Sequence, residues 1–198
     1  MTNSEMPRPQ QIQTVFLDRD GVLNVKMPEG RYVTSWEEFQ PLPGVAQTIH
    51  KLNQAGIRVI VVSNQRGIAL GCMSSADVDA IHIQFQEFLK TSDAHVDAFY
   101  YCPHDKDACD CRKPRPGLFQ QAVRDFPAIV PEDSVVIGDS LSDIEAGNNL
   151  GMATVLIAGD VENRRTEWEK ANKLAGASFA SLEEAVDALM RTRAKDRQ

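Results

Sequence analysis

The chain has 198 residues, 42% of them hydrophobic and 25% charged, which suits one medium globular domain that needs no disulfide staples. Lys and Arg number 21 against 28 Asp and Glu, a formal net charge of −7; that balance argues against a nucleic-acid binder with its basic face, but leaves room for an anionic small-molecule substrate held by a few local cations and a metal. No apolar run is long enough to span a membrane, and the polar start with Pro7 and Pro9 lacks the apolar segment of a secretory signal, so the expectation is a cytoplasmic monomer with no membrane partner.

Residues 1–11 are expected to form a flexible tail, 12–190 one domain, and 191–198 a second polar tail. QTVFLD (13–18) is an apolar run ending in acid, a buried strand. Residues 20–43 form a long loop-like stretch with Gly21, Pro28, Gly30, Pro41 and Pro43, of a length that is often functional. A helix over 44–55 carries Val45, Ile49 and Leu52 on one face and stops at Gly56. IRVIVV (57–62) is a second strand. Ser74 and Asp77 make a capping box for a helix with Val78, Ile81, Phe85, Phe88 and Leu89 on one face. Then follow a strand at 96–101, a helix at 116–126, a strand at 134–138, a short helix at 140–150 and a strand at 153–157. Ser181 and Glu184 cap a last helix with Leu182, Val186 and Leu189. Apolar strands alternating with amphipathic helices predict an α/β fold, a doubly wound parallel sheet covered on both faces. Ligands of such folds sit outside the carboxyl ends of the strands.

The polar residues of interest fall at those ends. Strand one runs into Asp18-Arg19-Asp20-Gly21, and i, i+2 side chains of an extended segment face the same way. Two carboxylates so placed repel unless a cation binds or one is protonated. Strand two ends at Ser63-Asn64-Gln65, where a hydroxyl and backbone N–H groups suit a phosphate oxygen, or simply a turn. Strand four ends at Gly138-Asp139-Ser140-Leu141-Ser142-Asp143. Asp139 shares the layer of Asp18, and Asp143 also fits a capping box with Ser140. Lys113, stiffened by Pro114 and Pro116, is the cation placed in the acidic crevice, while Arg115 reads as a surface charge.

DRDG (18–21), SN (63–64), KP (113–114) and GDSLSD (138–143), in this order and spacing over residues 15–157, resemble the haloacid dehalogenase (HAD) superfamily of phosphohydrolases. The resemblance implies a Rossmann-like HAD fold and phosphomonoester hydrolysis on a small phosphorylated sugar. Asp18 is then the nucleophile and Asp20 the general acid/base. Mg²⁺ is held by Asp18, the Asp20 main-chain carbonyl and Asp139, with Asp143 behind them, and Ser63 and Lys113 hold the phosphoryl oxygens.

Cys102, His104, Cys109 and Cys111 form a second constellation. Four borderline-soft ligands within ten residues can close a structural tetrahedral Zn²⁺ site, and a disulfide would leave His104 unexplained. The zinc loop (102–111) is expected to anchor the segment that aims Arg112 and Lys113. Cys72 reads as a free thiol, His50, His82 and His95 as surface or packing residues, and Trp36 and Trp168 as candidate pocket walls.

A zinc loop without an inserted cap domain resembles the group holding the heptose bisphosphate and histidinol-phosphate phosphatases. DRDGVLN (18–24), GRYV (30–33), WEEF (36–39), SNQRGIALG (63–71) and CDCRKPRPG (109–117) favour the heptose branch. That branch implies substrate contacts at Ser63, Asn64, Gln65, Arg66, Arg112, Lys113 and Ser140. Two features depart from it. Only four residues separate His104 from Cys109, nearer the histidinol branch, and Ser140 stands where a lysine often follows the motif aspartate. A non-catalytic zinc module would explain 102–111 but not the ordered acids. A nucleic-acid 3′-phosphatase would share the catalytic set but not the net charge.

Overall fold

The structure, a computed structural model, describes residues 12–158 and 165–195; the tail expected at 1–11 lies outside them. The strands are β1 (Thr14–Leu17), β2 (Arg58–Asn64), β3 (Ala98–Cys102), β4 (Ser134–Gly138), β5 (Ala153–Ile157) and β6 (Ala177–Phe179). The helices are α1 (Val45–Gln54), α2 (Ser75–Lys90), α3 (Gly117–Asp125), α4 (Leu141–Asn149), α5 (Arg165–Leu174) and α6 (Leu182–Lys195). One six-stranded sheet has the order β3-β2-β1-β4-β5-β6. Every pair in it is parallel, so each connection crosses back over a face of the sheet.

The alternation within β1 shows how both faces are filled. Val15 and Leu17 pack with residues of α1, α2 and α6, whereas Phe16 points the other way into α3, where its ring meets Phe119 edge-on at 5.1 Å. All three side chains are fully buried, which is why the strand reads as a continuous apolar run. The register pairs Leu17 with Val61 and with Ile137. The residues that follow on β1, β2 and β4 therefore emerge side by side at one edge.

Several boundaries differ from the sequence expectation. β2 runs past Val62 through Asn64, which carries Ser63 within the ladder itself. The stretch between 157 and 181, given no element from the sequence, holds α5 and β6. Its helix has an apolar side small enough to miss: Ala171, with Trp168 beside it, packs on Ile144 and Leu156. Trp168 is thus a packing residue, as is Trp36, stacked on Phe39 at 5.2 Å. The last helix continues through Lys195, beyond the domain end expected at 190, and Arg193 Nη1 donates to Ala55 O at 2.8 Å. The long segment after β1 is tied down rather than open: Asn24 bridges both Asp20 and Pro41, and Val25 N donates to Gln40 O at 2.8 Å. Among the described residues no domain is inserted after β1 or β2, and no helix is long and apolar enough to cross a membrane.

Candidate active site

Asp18 leaves the end of β1 with its N–H still bonded to Ile137 O at 2.9 Å, so the ladder fixes where its side chain starts. Carboxylate oxygens of Asp18, Asp139 and Asp143 lie within 4.8 Å of one another. Into this group comes Lys113, whose Nζ is 2.9 Å from Asp18 Oδ1, 2.6 Å from Asp143 Oδ1 and 2.6 Å from Val62 O. The lysine side chain is 2% exposed. Burial acts to lower its pKa, but Asp143 and Asp18 more than reverse this and hold it above the ordinary lysine value. A buried ammonium so placed stays charged and ready to meet a phosphoryl oxygen.

Two ammonium groups reach these three carboxylates, Lys113 and, at Asp139, Lys26, and they do not neutralise all three. Burial pushes the Asp18 carboxyl up to about 7; Lys113 and Lys26 oppose this, while Asp143 and Asp139 add to it. A further cation would restore the ionised form that a nucleophile requires. The donor set, carboxylates of Asp18 and Asp139 at the edge of a sheet, suits a hard divalent ion such as Mg²⁺. Gly21 keeps the place open: its φ is +95°, and a Cβ there would collide with the Asp139 carboxylate.

Asp143 closes the capping box that its spacing suggested and also meets Lys113. Its Oδ2 accepts from Ser140 N and Ser140 Oγ at 3.1 and 2.5 Å, closing the first turn of α4, while Oδ1 faces Lys113. Gly138 makes this approach possible, since a Cβ on it would overlap the Asp143 side chain. Ser140, read from the sequence as a substrate contact, spends its hydroxyl on Asp143.

Asp20 is held by a network that the sequence did not reveal. Arg19, 1% exposed, donates through Nη2 to Asp20 Oδ1 and Oδ2 at 3.1 and 3.0 Å and to Gln65 Oε1 at 3.0 Å. Asn24 Nδ2 reaches Asp20 Oδ1 at 3.0 Å. Gln65 Nε2 donates to both Asp20 Oδ2 and Ser63 Oγ, at 2.9 and 2.7 Å. Burial would raise the Asp20 pKa, but Arg19, Asn24 and Gln65 together bring it below the ordinary carboxylate value. Gln65, expected at the substrate, instead couples Ser63 to Asp20 from a buried position.

Asn64 is likewise turned to the protein. Its Oδ1 accepts from Lys113 N at 3.0 Å and its Nδ2 donates to Lys113 O at 3.2 Å. Arg66 pairs with Asp105 at 2.5 Å, joining the loop after β2 to the cysteine loop. Arg112 does line an open cleft of about 360 Å³, together with Asn64, Lys106, Asp107, Cys109, Lys113, Pro114, Arg115 and Ser142. Its buried Nη1 has no hydrogen-bond partner among the described residues. Arg115 is tethered, donating to Cys109 O.

The four zinc-ligand candidates converge. Cys102 Sγ lies 3.4 Å from Cys109 Sγ and 3.3 Å from Cys111 Sγ, Cys109 and Cys111 are 3.2 Å apart, and His104 Nδ1 is 3.3 Å from Cys111 Sγ and 3.7 Å from Cys102 Sγ. A tetrahedron with bonds of about 2.3 Å has edges of about 3.8 Å, so the cluster fits around one such ion with slight expansion. At Cys109 burial acts to raise the thiol, but Cys111, Cys102 and the backbone N–H groups of Arg112 and Cys111 bring it down to about 7; at Cys102 and Cys111 burial prevails and holds the thiols above the ordinary value, so an ion bound there would have to displace their protons.

Comparison with known proteins agrees with this arrangement. The family model described as HAD-hydrolase-like matches residues 110–185. The chain is 41% identical, over 85% of its length and 86% of the relative's, to a D-glycero-alpha-D-manno-heptose-1,7-bisphosphate 7-phosphatase of Mycobacterium bovis. It is 32% identical, over 88% and 94%, to a D-glycero-beta-D-manno-heptose-1,7-bisphosphate 7-phosphatase of Escherichia coli. Among solved structures, the D,D-heptose 1,7-bisphosphate phosphatase of B. bronchiseptica, complexed with magnesium and phosphate, superposes with a TM-score of 0.79 at 31% identity, covering 91% of this chain and 99% of that one. Fold, crevice and relatives together make this chain a phosphatase of the HAD superfamily and a member of its heptose-1,7-bisphosphate 7-phosphatase family.

Proposed function

We propose that the chain hydrolyses the 7-phosphate of D-glycero-D-manno-heptose 1,7-bisphosphate through an aspartyl phosphate on Asp18. The observation that carries the chemistry is Lys113, buried between Asp18 and Asp143 at the strand ends. Asp18 Oδ attacks phosphorus as the ester P–O bond breaks, and Asp20 gives its proton to the leaving sugar oxygen. Water then attacks the phosphoaspartate, Asp20 takes the proton, and inorganic phosphate leaves with Asp18 restored. The partners of Asp20 described above favour its ionised form, the one that accepts a proton from water. Donation to the sugar requires it to take up a proton and turn from Arg19 toward the crevice.

Lys113 and Ser63 hold the non-bridging oxygens. Asp18, Asp139 and the Asp20 carbonyl would hold Mg²⁺, which when bound offsets the charge on phosphate and carboxylates. Cys102, His104, Cys109 and Cys111 would hold a structural Zn²⁺, and Arg112 would meet the part of the substrate remote from the reaction.

What supports the substrate is the family, together with a basic cleft suited to a second anionic group. Relatives are named for both anomers. The test is Mg²⁺-dependent phosphate release from each anomer of the bisphosphate, histidinol phosphate and a 3′-phosphorylated oligonucleotide. The heptose bisphosphate is expected to have the highest kcat/KM. Preference for histidinol phosphate would replace the substrate but keep the catalytic assignments.

A further inference from the structure

Asp139 already holds a cation that belongs to the chain. Lys26, on the segment after β1, places Nζ 2.8 Å from Asp139 Oδ1 and 2.6 Å from Oδ2. This is a contact across 113 residues of sequence. The Asp139 side chain is 8% exposed, so the pair is mostly shielded from water, whereas the lysine, at 30%, keeps a path outward. The base of the lysine segment is fixed close by: Gly21 N donates to Asn24 O, and Val25 N to Gln40 O, both at 2.8 Å. The ammonium thus reaches Asp139 from an anchored backbone and a mobile four-carbon stem.

The proposed metal site uses the same carboxylate, and this inference rests on that reading. A magnesium ion bonded to Asp139 takes one of its oxygens at about 2.0–2.1 Å. It would then lie within a few ångströms of the ammonium, in a place of reduced dielectric where like charges repel strongly. We propose that Lys26 is an internal competitor for the magnesium site: it neutralises Asp139 until Mg²⁺ displaces it outward, and so sets how much Mg²⁺ the enzyme needs. Lys113 cannot take this part, since it is held by Asp18, Asp143 and the Val62 carbonyl and has no comparable exposure.

The experiment is calorimetric titration of MgCl2 into full-length protein dialysed free of Mg²⁺, for wild type, Lys26→Met and Lys26→Arg, with Tm measured for each with and without saturating Mg²⁺. Lys26→Met, which keeps the stem and removes the charge, is expected to bind Mg²⁺ more tightly, on the order of tenfold. Its Tm without Mg²⁺ is expected to fall below wild type, so its gain on adding Mg²⁺ is larger. Lys26→Arg keeps a cation and should stay near wild type in both. Mg²⁺ affinity that is unchanged or weaker in Lys26→Met overturns the competition. No measurable Mg²⁺ binding by any of the three proteins would instead reject the metal site itself, which separates the two failures.

Discussion

The catalytic crevice and the cysteine loop border the same mouth but are held in place by different means. In the crevice, Asp18 and Asp139 directly follow β1 and β4 and Ser63 lies near the end of β2 between them and β3, so the ladder and two packed helical layers set their spacing. The loop from 103 to 116 has no helix or strand; its cluster of ligand side chains, the Arg66–Asp105 pair and the Arg115 tether gather its cysteine part, and the Asn64 amide and the buried ion pairs of Lys113 hold its end. Where a sheet is available, packing alone positions a charged group. Where it is not, an ion held by Cys102, His104, Cys109 and Cys111 would supply the missing cohesion. Chemistry should therefore fail when the crevice is altered, and stability and recognition when the loop is.

The largest expected effect is Asp18→Asn. An amide is nearly isosteric but a poor nucleophile, so turnover should fall by several powers of ten, about 5 kcal/mol or more in activation free energy, with Tm close to wild type. Steady-state phosphate release at the wild-type rate would exclude Asp18 as nucleophile.

Cys109→Ser is the matching change in the loop. Zinc content measured on protein purified without added metal should drop from one per chain toward none, with several kcal/mol lost in denaturant stability. A stable, fully active, verified zinc-free variant would show that the loop needs no ion.

Arg112→Ala and Lys113→Ala sharpen the contrast across one peptide bond. Lys113→Ala should lower kcat on every substrate. Arg112→Ala should cost about 2–3 kcal/mol more on a heptose bisphosphate than on a small phosphate ester, as a charge-assisted hydrogen bond to the remote group would. Equal losses on both substrates for Arg112→Ala would take recognition away from it.

The last effect, absent at neutral pH, lies behind the crevice. His82 is buried, with its ring stacked on Phe99 at 4.4 Å. Burial, then the charge of Arg19, depress its pKa to about 3. The unfolded chain protonates this histidine near pH 6.5, whereas the folded chain does not until far lower. Stability is therefore untouched above about pH 6.5 and falls by up to about 1.4 kcal/mol per pH unit below it. His82→Phe removes this loss, so the stability difference, variant minus wild type, should grow steadily as pH drops from 7 to 4. A constant difference would mean that His82 protonates without penalty in the fold.

The sheet and most helices were legible because burial leaves a period in the sequence: β4 and β5 have the expected bounds, and the Ser74–Asp77 box opens α2 as read. α5 and β6 escaped because a helix with few core residues and a strand of three carry little period. At the site, the acids and Lys113 stand in recognisable order, but their partners do not. Arg19 lies between two acids, and nothing in its neighbours marks it as one of the most buried side chains. Lys26 meets Asp139 across most of the chain. Asn64 and Gln65 fall inside a motif that suggests ligand contact, and only their hydrogen bonds show them serving Lys113 and Asp20 instead.

The paired bonds between the Asn64 amide and the Lys113 backbone carry a consequence for how such an enzyme can change. A side-chain amide there imitates one rung of a strand ladder, grafting the lysine onto β2 without any strand beside it. The reactive end of the segment is in this way moored independently of the cysteine cluster before it. Residues between His104 and Cys109 can then be added, removed or recharged, reshaping the rim of the cleft, while the ammonium at the centre keeps its place. The reacting lysine and the rim are held separately in this molecule, and the junction between them is a single asparagine.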